Sequence, residues 1–133
     1  MGRAQRTAAG ENLEVSPFPR RGCLYRVALP GEPTRKSRPA LVISPNVRNQ
    51  HASDVLVVPA TTITRPAPTH VRLQRGEGGI PRASMLKCEQ ITTLPKELLS
   101  AIALGGELSA RRLEEVERGV LRSIGIPVDA TPR

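Results

Sequence analysis

Proline and glycine interrupt this chain so often that only short regular elements fit between them. The 133 residues include 13 Pro and 11 Gly, which separate apolar runs such as Ala40–Ile43, Asp54–Val58 and His70–Leu73. Proline lacks a backbone N–H and is excluded from central strands, and both residue types form turns. Short apolar runs between such turns are typical of antiparallel β structure. The sequence therefore predicts a small, mainly β barrel or sandwich with antiparallel strands.

Two further strands and a turn complete the predicted β region. The first strand follows Gly22 and runs to Leu29, with alternate side chains on opposite faces. The last strand spans Ser84–Ile91, and a short helical turn is predicted over Pro95–Ser100. The Gly-rich stretch 76–79 lacks the Lys-Ser/Thr that follows in a phosphate-binding loop, so we interpret it as a plain turn.

The period of the apolar residues changes near the end of the chain, where a helix is predicted. Ser109 is a suitable N-cap, and Gly125 and Pro127 end the helix. The apolar stripe between them consists of Leu113, Val116, Val120 and Ile124. We expect this helix to cover one opening of the barrel. Residues 1–20 are predicted to be a disordered leader, 21–126 the folded domain and 127–133 a disordered tail.

The charge balance indicates an anionic partner. Lys and Arg number 20 against 12 Asp and Glu, which gives a formal net charge of +8 and a sequence pI of about 11.0. Most of the cations are Arg, whose planar guanidinium suits bidentate binding of phosphate or carboxylate. Nucleic acid or an acidic protein segment is therefore the expected partner. Phe18 and Tyr25 are the only aromatic residues, too few for a module that stacks successive bases on exposed rings.

Several other classes of protein are disfavoured. Cys23 and Cys88 provide no disulfide framework, and together with His51 and His70 they are too few for a metal site. We expect no metal and no cofactor. There is no apolar run of the roughly 20 residues that a membrane span needs, and no apolar signal core. We therefore expect a cytoplasmic protein with no membrane partner.

Arg38 is the strongest candidate for a functional residue. It lies where a Pro- and Gly-rich loop enters an apolar strand, and Pro39 restricts it to an extended conformation. An arginine held in this way serves either as an ion-pair partner at a strand end or as an anion clamp. Thr61 and Thr62 follow a second apolar strand, and neighbouring strand ends can bring these hydroxyls close to Arg38.

This combination suits phosphoryl chemistry on RNA. The ribose 2′-OH supplies the nucleophile, and a fixed guanidinium stabilises charge on the phosphorus, as an oxyanion-hole donor does on carbon. The alternatives are less favoured: His51 and His70 as a histidine pair, or a carboxylate pair, for which Glu32, Glu77 and Glu89 show no catalytic spacing.

An ordered series of motifs resembles the MazF/PemK toxins, the endoribonucleases of toxin–antitoxin pairs. It comprises Arg38–Ser44, Val57–Thr62, Gly76–Pro81 and Cys88–Thr93, within residues 21–126. The resemblance implies an SH3-like antiparallel β-barrel closed by a C-terminal helix, acting as a homodimer. It also implies metal-independent, sequence-specific cleavage of single-stranded RNA to 2′,3′-cyclic phosphate and 5′-OH ends. A cognate MazE-like antitoxin with an acidic segment would neutralise the enzyme.

The resemblance also assigns roles to residues. Arg38 matches the family's catalytic arginine and Thr61 its catalytic threonine. Some members carry a glutamate five residues before the arginine; here Pro33 occupies that position, and Glu32 is a candidate base one residue out of register. The expected RNA contacts are Arg35, Lys36, Ser44, Thr62, Arg65 and Gln90.

Two alternative functions remain open at this point. CcdB-like gyrase poisons share the barrel architecture and would depend on C-terminal residues rather than on Arg38. A non-catalytic RNA-binding barrel would bind RNA in a salt-sensitive manner and leave it intact.

Overall fold

The computed structural model of the chain describes residues 4–6, 12–14, 16–28, 31 and 37–128. Its strands are β1 Ala4–Arg6, β2 Asn12–Glu14, β3 Leu24–Val27, β4 Arg38–Val42, β5 Asp54–Thr61, β6 His70–Leu73, β7 Ser84–Lys87 and β8 Thr92–Pro95. Its α-helices are α1 Asn46–His51 and α2 Ala110–Ser123, and 3-10 turns cover Glu77–Gly79, Cys88–Gln90 and Lys96–Leu98. The predicted C-terminal helix and the turn within Pro95–Ser100 are confirmed.

The main sheet is antiparallel throughout, with the strand order β3-β4-β5-β7-β6. The long strand β5 organises it, because its first half pairs with β8 and its last two residues pair with β7. β7 and β8 thus lie in succession along one edge of β5. The prediction of one continuous strand over Ser84–Ile91 was wrong, because the chain turns at Cys88, whose N–H donates to the carbonyl of Thr69 at 3.0 Å.

The predicted mainly β, antiparallel fold with a C-terminal helix is confirmed, but the sheet does not close into a complete barrel. Instead, the segment 98–108 runs along the free edge of β3. The N–H groups of Ser100, Leu104 and Leu108 donate to carbonyls of β3 and of Gly22 at 2.8–2.9 Å. The segment that covers this edge protects it from pairing with another chain, much as closure of a barrel would do by removing the edge.

The sheet buries apolar side chains on both faces. One cluster includes Leu24, Leu41, Val58 and Leu86, and the other includes Tyr25 and residues of β4 and β5. Alternation along β3 places Leu24 and Tyr25 in different clusters, because successive strand side chains point to opposite faces. The predicted faces of this strand are therefore right, although both are buried.

Helix α2 covers the first cluster with three residues of its predicted apolar stripe, whereas the fourth, Ile124, lies beyond the end of the helix and is exposed. Val116 is buried in this cluster, and Leu113 and Val120 pack against it. Gly119 allows a close approach, since a Cβ at this position would lie 2.7 Å from the sulfur of Cys88. Burial raises the pKa of the Cys88 thiol to about 12, so this cysteine packs as an apolar residue and is not a thiolate nucleophile.

Two short strands precede the main sheet. β1 and β2 pair antiparallel near the start of the chain. The Arg20 N–H also donates to the hydroxyl of Tyr25 at 2.8 Å. A buried tyrosine hydroxyl requires such a partner, and this contact fixes the chain just before the domain. The sequence reasoning also missed α1, which begins after Pro45 and buries Asn49.

Candidate active site

The sheet register brings Arg38 and Thr61 to neighbouring positions. In β4 and β5, Ala40 lies opposite Pro59 and Leu41 opposite Val58. Continuing this register by two residues places Arg38 across from Thr61, where Cβ atoms of opposed residues are typically about 5 Å apart. Both residues line the same open cleft, with a volume of about 390 Å³. The expectation that two strand ends bring this arginine and this threonine together is confirmed by the geometry.

The described lining of the cleft is basic and hydroxyl-rich. It consists of Arg26, Ser37, Arg38, Pro39, Ala60, Thr61, Thr62, Ile80, Pro81, Arg82 and Ser84. Three of these are arginines, and none is Asp, Glu or His. Within the described residues, the guanidinium groups of Arg38 and Arg82 have no ion-pair or hydrogen-bond partner. Of the two uses considered for Arg38, the anion clamp therefore fits the structure and the ion pair does not.

Thr61 presents a hydroxyl whose hydrogen is free for a substrate. Its Oγ1 accepts a hydrogen bond from the N–H of Ile63 at 3.2 Å. A hydroxyl that accepts in this way still has its own O–H to donate. Thr62 lies beside it, exposed at the rim of the same cleft.

Arg82 and Arg26 are cleft residues that the sequence reasoning missed. Arg82 is carried by the turn before β7, where the buried hydroxyl of Ser84 donates to the Arg82 carbonyl at 2.8 Å. The sequence did contain a signal for Arg82. Pro81-Arg82 precedes the apolar strand β7 and Arg38-Pro39 begins β4, so both sites place an arginine beside a proline at a strand entrance. Arg26 lies on β3 opposite Pro39, and its Nη1 is 3.5 Å from the Ser37 carbonyl.

Three of the predicted RNA contacts lie away from the cleft. Ser44 is buried; its hydroxyl bonds to the Asn49 side chain and accepts from the Leu56 N–H at 3.0 Å. The prediction of Ser44 as an RNA contact is therefore corrected, because its polar groups stabilise the junction of β4 and α1. Gln90 is exposed in the 3-10 turn beyond β7, and Arg65 is exposed in the loop before β6; neither lines the cleft.

The candidate base Glu32 and the predicted contacts Arg35 and Lys36 lie outside the described residues. The loop that carries them ends at Ser37, which lines the cleft. Their roles stay predictions.

Neither histidine lies in the cleft. His51 is exposed at the end of α1, and the Nε2 of His70 lies 3.2 Å from a carboxylate oxygen of Glu89. Across the part of the chain that the structure describes, no group of three or more His, Cys, Asp or Glu is placed to hold a metal ion. The same residues include no helix long and apolar enough to cross a membrane.

Comparison with known proteins adds an independent finding. The family model of the PemK-like, MazF-like toxins of type II toxin–antitoxin systems matches residues 20–124. Endoribonuclease MazF1 of Mycobacterium bovis is 29% identical over 109 residues, which are 82% of this chain and 95% of the relative. A probable endoribonuclease MazF of Mycolicibacterium smegmatis is 32% identical over 109 residues, 80% of this chain and 97% of the relative.

A solved structure agrees with these relatives. It is an endoribonuclease in complex with its cognate antitoxin from mycobacterial species, 30% identical to this chain with a TM-score of 0.68. The match covers 82% of this chain and 97% of the solved one.

Proposed function

The chain belongs to the PemK-like, MazF-like toxins of type II toxin–antitoxin systems, and from this premise we propose that it is a metal-independent endoribonuclease. It cleaves single-stranded RNA by attack of a ribose 2′-OH on the adjacent phosphorus. The bond from phosphorus to the 5′ oxygen of the next nucleotide breaks, leaving a 2′,3′-cyclic phosphate and a 5′-OH. The observation that carries this proposal is that Arg38 and Thr61 line one cleft whose described lining holds no carboxylate.

We assign Arg38 to the phosphate. Its guanidinium is exposed, has no partner among the described residues and is set on the strand entrance that Pro39 stiffens. Charge builds up on the non-bridging oxygens as the phosphorus becomes pentacoordinate, and a preorganised donor there contributes about 3–4 kcal/mol, as an oxyanion-hole donor does. The described lining offers guanidinium and hydroxyl groups, which bind phosphate, rather than the carboxylates that Mg²⁺ prefers.

Thr61 and Arg82 orient the same phosphate. The free O–H of Thr61 is a donor across from Arg38, and Arg82 adds a second cation without a carboxylate partner among the described residues. The proton of the 2′-OH needs an acceptor, and the described lining contains no carboxylate or imidazole. Glu32, five residues before the cleft residue Ser37 in the sequence, is our candidate for this base.

The basic cleft also suits an acidic antitoxin segment, which competes with RNA for the same guanidinium groups. We place this activity in the cytoplasm, where single-stranded messenger RNA is available. The homodimer expected from the family is part of the proposal, and analytical ultracentrifugation of the purified protein tests it.

The decisive experiment is incubation of the purified protein with single-stranded RNA in EDTA, followed by sequencing and chemical analysis of the fragment ends. We expect cyclic phosphate and 5′-OH ends at a recurring short sequence. A matched RNA with 2′-deoxyribose at the cleavage position stays intact, because it lacks the nucleophile.

Other outcomes identify the alternatives. RNA that is bound but never cut indicates a non-catalytic RNA-binding barrel. Inhibition of DNA supercoiling by gyrase that survives Arg38→Ala indicates a gyrase poison. A strict requirement for a divalent metal contradicts the proposed mechanism.

A further inference from the structure

A second basic groove lies between the edge strand β6 and helix α2. His70, Val71 and Arg72 line it from the strand, and Glu115, Arg118 and Arg122 line it from the helix. The three helix residues are spaced i, i+3 and i+7, so they share one face of α2. The volume of this β6–α2 groove is about 310 Å³, and it shares no lining residue with the cleft of Arg38.

The charge of the groove is positive. Its lining contains three guanidinium groups and one carboxylate, that of Glu115. This carboxylate is already occupied, because Arg112 lies 2.9 Å from it and Arg111 lies 3.6 Å from it, both outside the groove lining. Glu115 therefore does little to neutralise the arginines of the groove.

The groove arginines are available to an anion to different degrees. Arg72 is exposed and has no hydrogen-bond or ion-pair partner within the described part of the chain. Arg118 has only a long contact to Glu114, at 3.8 Å between exposed side chains, a type of pair that contributes little. Arg122 donates to the Pro68 carbonyl at 3.3 Å, which ties α2 to the start of β6. Arg72 and Arg118 are thus the two cations to test.

A row of backbone positions joins Arg72 to the proposed active site, on the face of β6 opposite Val71, the residue that packs toward α2. Thr61 lies opposite Met85, and Met85 lies opposite Arg72. Residues directly opposed across antiparallel strands project from the same face. Two inter-strand spacings of about 4.8 Å put Arg72 about 10 Å from Thr61 along this row. At about 3.4 Å per stacked nucleotide, this is on the order of three nucleotides.

We propose that the β6–α2 groove binds phosphates of the RNA strand a few nucleotides away from the cleavage position. This inference rests on the proposed function in one respect, because the strand it holds is the one that Arg38 and Thr61 act on. Contacts to the phosphate backbone add affinity without base specificity. The groove therefore favours RNA long enough to span both sites and leaves the choice of bases to the cleft.

The test is RNA binding by R72Q/R118Q, measured by fluorescence anisotropy over a salt series. The probes are two labelled, uncleavable 2′-O-methyl RNAs of randomised sequence, 20 and 2 nucleotides long. We expect the 20-mer to bind roughly 10-fold more weakly and the slope of log affinity against log salt to become shallower by about 1.4, which corresponds to two lost phosphate contacts. Binding of the 2-mer, which is too short to span both sites, changes much less.

The matched control is R20Q/R75Q, which removes the same charge from two exposed arginines that line neither site. It leaves binding of the 20-mer within about twofold of wild type, because general charge is a weaker effect than direct contact. The single variant R72Q, which leaves α2 intact, reproduces part of the loss and guards against a folding defect in the double variant.

The outcomes separate this inference from the proposed function. Equal binding by the two double variants, or an equal loss on both RNA lengths, overturns the groove inference. Weaker binding of poly-glutamate by R72Q/R118Q with unchanged RNA affinity assigns the groove to an acidic protein and also overturns it. A wild-type protein that cuts no RNA overturns the proposed catalysis, whereas selective loss of 20-mer binding still supports a phosphate site in the groove.

Discussion

Arg38 and Arg112 are the same residue type in opposite electrostatic settings. Arg112, on α2, donates to both carboxylate oxygens of Glu77 at 2.8 and 3.0 Å and to Glu115 at 2.9 Å. Arg38, at the entrance of β4, has no partner among the described residues and faces an open cleft. The carboxylates around Arg112 raise its pKa, because the hydrogen bonds from Glu77 and Glu115 stabilise the cation.

The difference shows how a basic protein divides its arginines between structure and binding. A guanidinium saturated by two carboxylates fixes the first turn of α2 to the 3-10 turn at Glu77 and has little capacity left for a ligand. A guanidinium without a carboxylate adds nothing comparable to the fold and keeps its full charge for phosphate. We therefore expect substitution of Arg38 to slow RNA cleavage and substitution of Arg112 to lower the stability of the fold.

The largest expected effect is loss of cleavage in Arg38→Ala. We expect the rate to fall by roughly 10²-fold or more, about 2.7 kcal/mol of transition-state stabilisation, while the urea unfolding curve stays at its wild-type midpoint. Single-turnover cleavage and urea titration of the same preparation measure both quantities. If Arg38→Ala shifts the unfolding midpoint as much as Arg112→Ala does, Arg38 has a structural role and the proposed contrast between the two arginines is wrong.

Thr61→Val is expected to have a smaller effect on the same reaction. Loss of the hydroxyl donor lowers the single-turnover rate by about tenfold, within the range for a positioned polar group. Thr61→Ser is the matched control, because it keeps the hydroxyl and the hydrogen bond from the Ile63 N–H, and it stays within about threefold of wild type. If valine and serine reduce the rate equally, the threonine methyl group and not its hydroxyl is what matters.

Arg112→Ala is expected to affect stability and not chemistry. We expect a loss of about 1 kcal/mol in the free energy of unfolding, since a partly buried bidentate pair exceeds the usual exposed one. Cleavage at 25 °C stays at the wild-type rate, because the fold is still fully populated. Arg111→Ala serves as control; its side chain is 87% exposed with one 3.6 Å contact, and urea unfolding should detect no change.

The smallest expected effect is on the pH dependence of stability, and it tests the role of the Glu77 carboxylate. Hydrogen bonds from Arg112 hold the pKa of the Glu77 carboxyl below its ordinary value of 4.5. Because the pKa is lower in the folded state, the ionised carboxylate stabilises the protein above about pH 4.5. This stabilisation is lost as the pH falls through the folded-state pKa. Glu77→Gln should therefore be less stable than wild type at pH 7, by under about 1 kcal/mol.

This difference should shrink steadily below pH 4.5. Urea unfolding of both proteins between pH 7 and pH 3 measures it. A gap that stays constant across this range shows that Glu77 acts through packing and not through its charge.

Local signals predicted the parts of this fold that depend on neighbours in sequence. The spacing of Leu113, Val116 and Val120 defined the buried face of α2, and alternation from Gly22 onward defined the two faces of β3. The break at Cys88 and the helix α1 escaped prediction, because each depends on contacts across the fold. Cys88 bonds to the Thr69 backbone, and Asn49 bonds to Ser44.

The residues of the candidate site were likewise predicted only in part. Strand ends pointed to Arg38 and Thr61. Ser44 was misplaced, because it is buried in the bend between β4 and α1, where its hydroxyl bonds to Asn49 and Leu56. Arg82 was missed, since its distance from Arg38 in sequence says nothing about the cleft they share.

The sequence by itself determined that the strands are short, and it also determined the final helix, the basic charge and the stiff backbone at Arg38-Pro39. These follow from the geometry of proline, side-chain periodicity and composition, all of which act within a few residues. Only the tertiary structure decided which arginines receive a carboxylate. Glu77 and Arg112 are far apart in sequence and meet because α2 packs beside the 3-10 turn, whereas no described carboxylate reaches the cleft where Arg38 faces Thr61.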